Sequence, residues 1–328
     1  MERHELLRKI STFPLVSAGL AQDILAGNFL SVFKGQGIEF NEVRHYESGD
    51  DAHAIDWNVS ARFGTPFVKL YREERELSTA IVLDCSASMQ SSVRASRGED
   101  IIRPCDQGIL AAALLAFSAE KAGQRVCGVF FDRTVTRLFP LHRGRGYILS
   151  IVNAAMNQCG VMPPERPAAQ SGPGKKDRRK DARETETVLG SNLGAALSGL
   201  KHILRKRSLV AVISDFLCIK WEQELAELAR RHDVVAIRIV SPLDNRIPGR
   251  GLLRLEDPET GLRIHVNAGS ESFRQAWLRW HEERALLWES ICRHAGAASV
   301  TLSTADDAAS VLKHFFGGRH MRNEGGLR

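Results

Sequence analysis

The chain lacks the marks of most familiar chemistries, and each absence narrows what it can be. Its six cysteines, Cys85, Cys105, Cys127, Cys159, Cys218 and Cys292, form no C-x-x-C pair and no Cys/His cluster at zinc spacing. Several lie in apolar runs, where a free thiol behaves as a small hydrophobe, and the pattern suits a reducing compartment. No long apolar run is present: the longest, Gly108 to Phe117, is too short to cross a bilayer. The stretch Met1-Glu2-Arg3-His4-Glu5 carries acidic charge where a signal peptide is basic and then apolar. The expectation is a cytoplasmic, soluble protein with no membrane span.

Enzyme motifs are missing as well. Gly190-Ser191-Asn192-Leu193-Gly194 has the wrong spacing for a nucleophile elbow. Gly172-Pro173-Gly174-Lys175-Lys176 lacks the glycine spacing and the hydroxyl of a Walker A loop. His281-Glu282-Glu283-Arg284-Ala285 lacks the second histidine of a zinc-protease helix. No internal repeat is visible. The chain is expected not to be an enzyme.

At 328 residues, it is long enough for one large or two modest domains. A net charge of +6 is mild for this size, and much of it falls in one run, Lys175, Lys176, Arg178, Arg179, Lys180 and Arg183. Aromatic residues do not interleave with that run, so no nucleic-acid partner is expected; a solvated loop explains it.

Residues 1–30 read as helical, and 33–71 as short, Gly-punctuated, charge-rich segments. Residues 1–77 are therefore expected to form a helical segment and an irregular β layer docked on the core. From Ser78, strand and helix signals alternate. Strand-like runs are Thr79–Asp84, Arg125–Phe131, Ser208–Ser214, Asp233–Val240 and Ala298–Leu302. Helical runs are Asp106–Ala122, Gly146–Asn157, Leu193–Arg205, Trp221–Arg231 and Ser270–His294. That alternation predicts an α/β fold over 78–318, a mostly parallel Rossmann-type sheet with helices on both faces. Near-continuous apolar strands fit burial on both sides. Residues 161–186, rich in Pro, Gly and charge, are expected to be a disordered insertion. Residues 250–267 read as a β-hairpin around Asp257-Pro258-Glu259-Thr260-Gly261, and 319–328 as a frayed tail.

Ligands of such sheets bind at the carboxyl ends of the strands. Three segments bring oxygen groups there: Asp84-x-Ser86-x-Ser88, Asp215 after its strand, and Ser191 just before a helix. Two carboxylates and three hydroxyls form an all-oxygen set suited to Mg²⁺ or Mn²⁺. Each piece also has a plainer explanation. A D-x-S-x-S string arises by chance in roughly one chain in ten, Ser191 could be a helix N-cap, and Asp215 could cap a turn. In the upstream segment, Arg44, Asp50, Asp51, Asp56 and Arg62, with Tyr46 and Trp57, read as an ion-pair and turn network.

The order of D-x-S-x-S, hydroxyl before a helix, and Asp ending a strand resembles the metal-ion-dependent adhesion site of von Willebrand factor type A domains. A more specific likeness lies in GQGIEFNEVRHYESGDDAHAIDWNVSARFGTPFVKLYREERE (35–76). With the D-x-S-x-S-M strand, VISDF near Asp215, LEDPETG (255–261) and the late LST (302–304), it resembles the domain of unknown function 58 family over most of 30–318. His53 stands where that family usually has Arg, Ser191 where type A domains usually have Thr, and the 161–186 insertion is longer than usual.

The resemblance implies Ser86, Ser88 and Ser191 as direct ligands of Mg²⁺ (or Mn²⁺), with Asp84 and Asp215 binding directly or through water. It also implies a MoxR-type AAA+ ATPase as partner, which would supply an acidic residue to complete the site, with this chain acting as a non-enzymatic adaptor in chaperone-like assembly. Two alternatives stay open: a structural scaffold with a vestigial metal site, and a metal-dependent hydrolase, for which no general base stands out.

Overall fold

A computed structural model describes residues 39–47, 50, 55–72, 78–91, 102–160, 191–245, 247 and 251–324. These fall in two compact units, one within Leu30–Glu76 and the other from Leu77 onward. The helical expectation for 1–30, the insertion 161–186, Asp51 and His53 lie outside the described residues.

In the first unit, strand β1 (Glu39–His45) pairs antiparallel with β2 (Phe67–Arg72), and helix α1 (Trp57–Phe63) lies between them in sequence. The charges expected to form a network do so in part. The Arg44 guanidinium meets Asp50 at 2.7 Å. Asp56 is the N-cap of α1, accepting from the Asn58 and Val59 N–H groups at 3.0 and 3.2 Å. Those are orphan donors at any helix start, so a carboxylate there stabilises it directly.

The second unit is built on a six-stranded sheet. Its strands are β3 (Ser78–Asp84), β4 (Arg125–Phe131), β5 (Val135–His142), β6 (Leu209–Ser214), β7 (Asp233–Val240) and, after an intervening hairpin, β10 (Ala298–Ser303). The hairpin is β8 (Leu252–Glu256) and β9 (Arg263–Asn267). The helices are α2 (Ala87–Gln90), α3 (Pro104–Lys121), α4 (Arg145–Gly160), α5 (Leu193–Ile203), α6 (Glu222–Ala229), α7 (Pro242–Asn245), α8 (Glu271–Ala295) and α9 (Ala308–Glu324).

Spatial order in the sheet is β10-β7-β6-β3-β4-β5, parallel throughout except for β5, which runs antiparallel to β4. Successive side chains of a strand point to opposite faces, and both faces are covered. Ile81, Leu83, Ala211, Ile213, Val235 and Ile237 pack with α3, α4 and α9. Ala80, Val82, Val210, Val212, Val234 and Ala236 pack with α5, α6 and α8. The expected mixed α/β fold with a mostly parallel sheet is therefore present. Gly108 lets α3 lie close on the sheet, since a Cβ there would meet Ile213 and Leu83 at 3.3 Å.

Two features differ from the sequence reading. The edge strand β5 was not expected; its residues are mostly exposed and include Pro140, which edge strands tolerate and central strands do not. Helix α9 continues to Glu324, past the point where a frayed tail was expected. Buried Leu312 and Phe316 hold its first turns on the core, and each further residue then adds a helical bond without a new nucleation cost. Among the described residues no helix is long and apolar enough to cross a membrane.

Candidate metal centre

The chain leaves central β3 towards β4 and β5 on one side and returns to β6 on the other. Strand order thus reverses about β3, and the crevice at the carboxyl ends of β3 and β6 is where such sheets bind ligands. Buried along its whole length, β3 delivers Asp84 there at 0 % exposure. One Asp84 oxygen accepts the Ser86 N–H at 2.9 Å, and the other accepts the Ser214 hydroxyl, at the end of β6, at 2.6 Å.

Ser86 occupies the N-cap position of α2, yet its side chain caps nothing. Its hydroxyl instead lies 3.0 Å from that of Ser88. The Ser88 side chain in turn acts on the Asp215 carboxylate, opposing the rise that burial imposes. The other use of Asp215 is the turn role foreseen for it: Oδ1 accepts the Leu217 N–H at 2.9 Å. Ser191 is buried and is not the cap of α5; that role falls to Asn192, whose side chain accepts the Ala195 N–H at 2.9 Å. The Ser191 side chain opposes the rise of the Cys218 thiol, which also feels the charges of both Asp84 and Asp215. Asp84, Ser86 and Ser88 are thereby bonded to one another and, through Ser214, to the end of β6, whereas Asp215 and Ser191 meet this group through their electrostatic influence.

The backbone behind the site is bent. Phe216 and Lys220 have φ of 55° and 59°, the left-handed region that costs a non-glycine residue free energy. Phe216 is buried; its N–H donates to the Ser214 hydroxyl at 2.9 Å, and its carbonyl accepts from Arg284 at 3.3 Å. Gly194, in the first turn of α5, lets the loop pass: a Cβ there would stand 2.6 Å from the Lys220 carbonyl oxygen.

Electrostatics give the site its character. Burial, then the neighbouring Asp215 charge, pushes the Asp84 carboxyl up to about 7. Burial also raises Asp215, with the Leu217 N–H and the Ser88 hydroxyl opposing. Among the described residues no cationic side chain is one of the main influences on Asp84, and Arg284 is the least of those on Asp215. Two carboxylates short of positive charge, lined with hydroxyls, fit a hard divalent cation. The Cys218 thiol, raised by burial to about 12, stays protonated and offers no soft thiolate. Among the described residues no group of three or more His, Cys, Asp or Glu side chains is placed to hold a metal ion. A cation here would rest on hydroxyls, with two carboxylates in support.

Sequence reasoning missed three neighbours. Ser214 anchors Asp84. The Asp132 carbonyl, just after β4, accepts the Asn192 N–H at 2.7 Å and so ties the Ser191 segment to the sheet. Glu259, in the turn of the β8–β9 hairpin, accepts the Ser88 N–H at 3.1 Å. Burial raises the Glu259 carboxyl, with the Ser88 N–H opposing and Asp132 and Asp215 adding to the rise. The turn itself was legible in the sequence, but not its place.

A family described as "Protein of unknown function DUF58" matches residues 42–285. An uncharacterized protein of Mycobacterium tuberculosis is 28% identical over 259 residues, covering 79% of this chain and 72% of its own length. An uncharacterized Mycobacterium avium protein is 39% identical over 125 residues, 38% of this chain and 73% of its own. A crystal structure of an uncharacterized membrane spanning protein from Vibrio fischeri aligns over 74% of this chain and 98% of its own, at 12% identity and a TM-score of 0.21. A score that low carries no argument.

Proposed function

We propose that this chain, which belongs to the DUF58 family, is a non-enzymatic protein-interaction module that works through a bound divalent cation. The observation that carries this reading is the cluster at the ends of β3 and β6: Asp84 buried with no cationic partner among the described residues, and Ser86 at an N-cap position with its hydroxyl turned to Ser88 instead. Ser86, Ser88 and Ser191 would hold Mg²⁺ or Mn²⁺ directly, with Asp84 and Asp215 directly or through water. The ion would supply a Lewis-acidic anchor for a carboxylate from outside, and hydroxyl ligands favour such an acidic completion because they leave the cation's charge under-compensated. The mostly parallel sheet, with this cluster at its carboxyl edge, supports kinship with von Willebrand factor type A domains.

The protein's own residues set up the surface. Ser214 and the Ser86 N–H orient Asp84, the Leu217 N–H orients Asp215, and the Asn192–Asp132 bond brings Ser191 alongside. On the resemblance in 35–76, the partner is a MoxR-type AAA+ ATPase that contributes the acidic residue, and this chain is its adaptor in chaperone-like assembly. One observation favours a second reading, a scaffold whose site no longer binds metal: both Asp84 oxygens already have protein donors.

Calorimetry with Mn²⁺ and Mg²⁺ on the wild type and on Ser86→Ala/Ser88→Ala separates the two. The adaptor reading expects saturable binding that the double variant loses, and Mg²⁺-dependent capture of the ATPase. Absence of cation binding in the wild type, alone and with the ATPase present, would establish the scaffold.

A further inference from the structure

The β8–β9 hairpin meets the site at Ser88, and that hairpin is not idle. It forms a two-stranded sheet of its own, with Leu252, Leu262 and Ile264 largely exposed. An isolated two-stranded hairpin is marginally stable, so what holds it is informative. Asp257, Pro258 and Thr260 in the turn are exposed, whereas Glu259 between them is half-buried. Its carboxylate accepts the Ser88 N–H at 3.1 Å across 171 residues of sequence, and its carbonyl accepts from Arg133 at 3.3 Å. The turn is shaped to present this side chain. Asp257 accepts the Glu259 N–H at 3.0 Å and the Thr260 hydroxyl at 2.5 Å, and Gly261, at φ 72°, returns its N–H to the Asp257 carbonyl at 2.7 Å.

The hairpin thus carries a carboxylate to the backbone of a proposed ligand residue. We propose that the hairpin turn is a displaceable cover on the cation site: Glu259 holds the place of the incoming carboxylate, and an acidic protein partner gains the site by lifting the turn. The inference rests on the cation-dependent binding reading above and adds its regulation. The module is self-occupied at rest, so weak or adventitious acids are excluded, and only a partner that outcompetes a tethered carboxylate engages. Among the described residues, Glu259 is gripped from outside the hairpin by the Ser88 contact and the Arg133 contact. The first uses the Glu259 carboxylate and the second the Arg133 guanidinium, which makes them separable by mutation.

The test uses the full chain with saturating Mn²⁺ and a fluorescent hexaglutamate peptide as the acidic probe. A cover that is closed about nine-tenths of the time weakens apparent affinity about tenfold. Glu259→Gln is therefore expected to bind the probe about tenfold more tightly than wild type, and EDTA to abolish binding in both. Arg133→Ala is expected to bind about threefold more tightly, because it loosens the turn; a simple charge effect would weaken it, since a cation is lost. Hydrogen exchange across 252–267 should accelerate in both variants, and in wild type when the probe is added. The cover is overturned if Glu259→Gln binds no tighter than wild type, whether both bind or neither does, or if Arg133→Ala weakens binding. Calorimetric absence of Mn²⁺ binding in all three proteins would instead sink the cation reading on which the cover depends.

Discussion

Replacing Asp84 by Asn tests whether this carboxylate is placed for a cation or for the fold. Asp84 is fully buried, and its carboxyl is raised from the ordinary 3.8 to about 7 by burial and by Asp215. Holding it ionised without a cation then costs the folded state about 4 kcal/mol. Because the folded value is above the unfolded one, the folded state binds more protons between the two. The contribution of Asp84 to metal-free stability is accordingly greatest below about pH 4 and falls as pH rises to about 7. Asp84→Asn removes that charge but keeps an oxygen for the Ser86 N–H and an amide to meet the Ser214 hydroxyl. In EDTA at pH 8 the variant should be more stable than wild type by a few kcal/mol, about 10 °C in midpoint for a domain of this size. At pH 4 the two should converge. Adding Mg²⁺ at a hundred times its dissociation constant should stabilise wild type by about 2.7 kcal/mol and the variant far less. Thermal denaturation from pH 4 to 8, with and without Mg²⁺, gives both comparisons. Parallel stability curves for the two proteins, with equal responses to Mg²⁺, would refute the argument.

Two further outcomes follow from the same geometry. Gly194→Ala places a Cβ 2.6 Å from the Lys220 carbonyl oxygen, a backbone atom that must move for it; overpacking of this kind costs about 1–3 kcal/mol. Because that loop carries Asp215 at its start, urea denaturation should show the loss and calorimetry a weakened Mn²⁺ affinity, whereas an unchanged affinity would show that the loop does not position Asp215. His232 is buried and its imidazole is lowered from 6.5, first by burial and then by Arg231. Its neutral form therefore supports the fold above about pH 6.5, and that support is lost as pH falls through the lowered folded value. His232→Gln should lose less stability than wild type between pH 7.5 and 5, read as urea midpoints; identical losses would count against it.

Much of the architecture was legible because strands buried on two faces must be apolar throughout. Arg125–Phe131 and Asp233–Val240 appear in the structure with the ends read from sequence. Leu193 opens its helix as expected. The edge strand Val135–His142 escaped notice because an edge need not be apolar, and Pro140 with Arg137 speaks against a central strand. Of the candidate site, Asp84, Ser86 and Ser88 were legible together because five consecutive positions at a strand tip stay near one another in any fold. Ser191 was open to reading as a cap, and only the bond between Asn192 and Ala195 assigned that role next door.

The sequence by itself determined the elements, their alternation and the local D-x-S-x-S turn, since each depends on periodicity and on neighbours a few residues away. Tertiary structure decided which strand ends meet. It set β6 beside β3, so that Ser214 reaches Asp84, and laid the hairpin so that Glu259 reaches Ser88. No local rule encodes those contacts, because they depend on strand order and on the packing of segments more than a hundred residues apart.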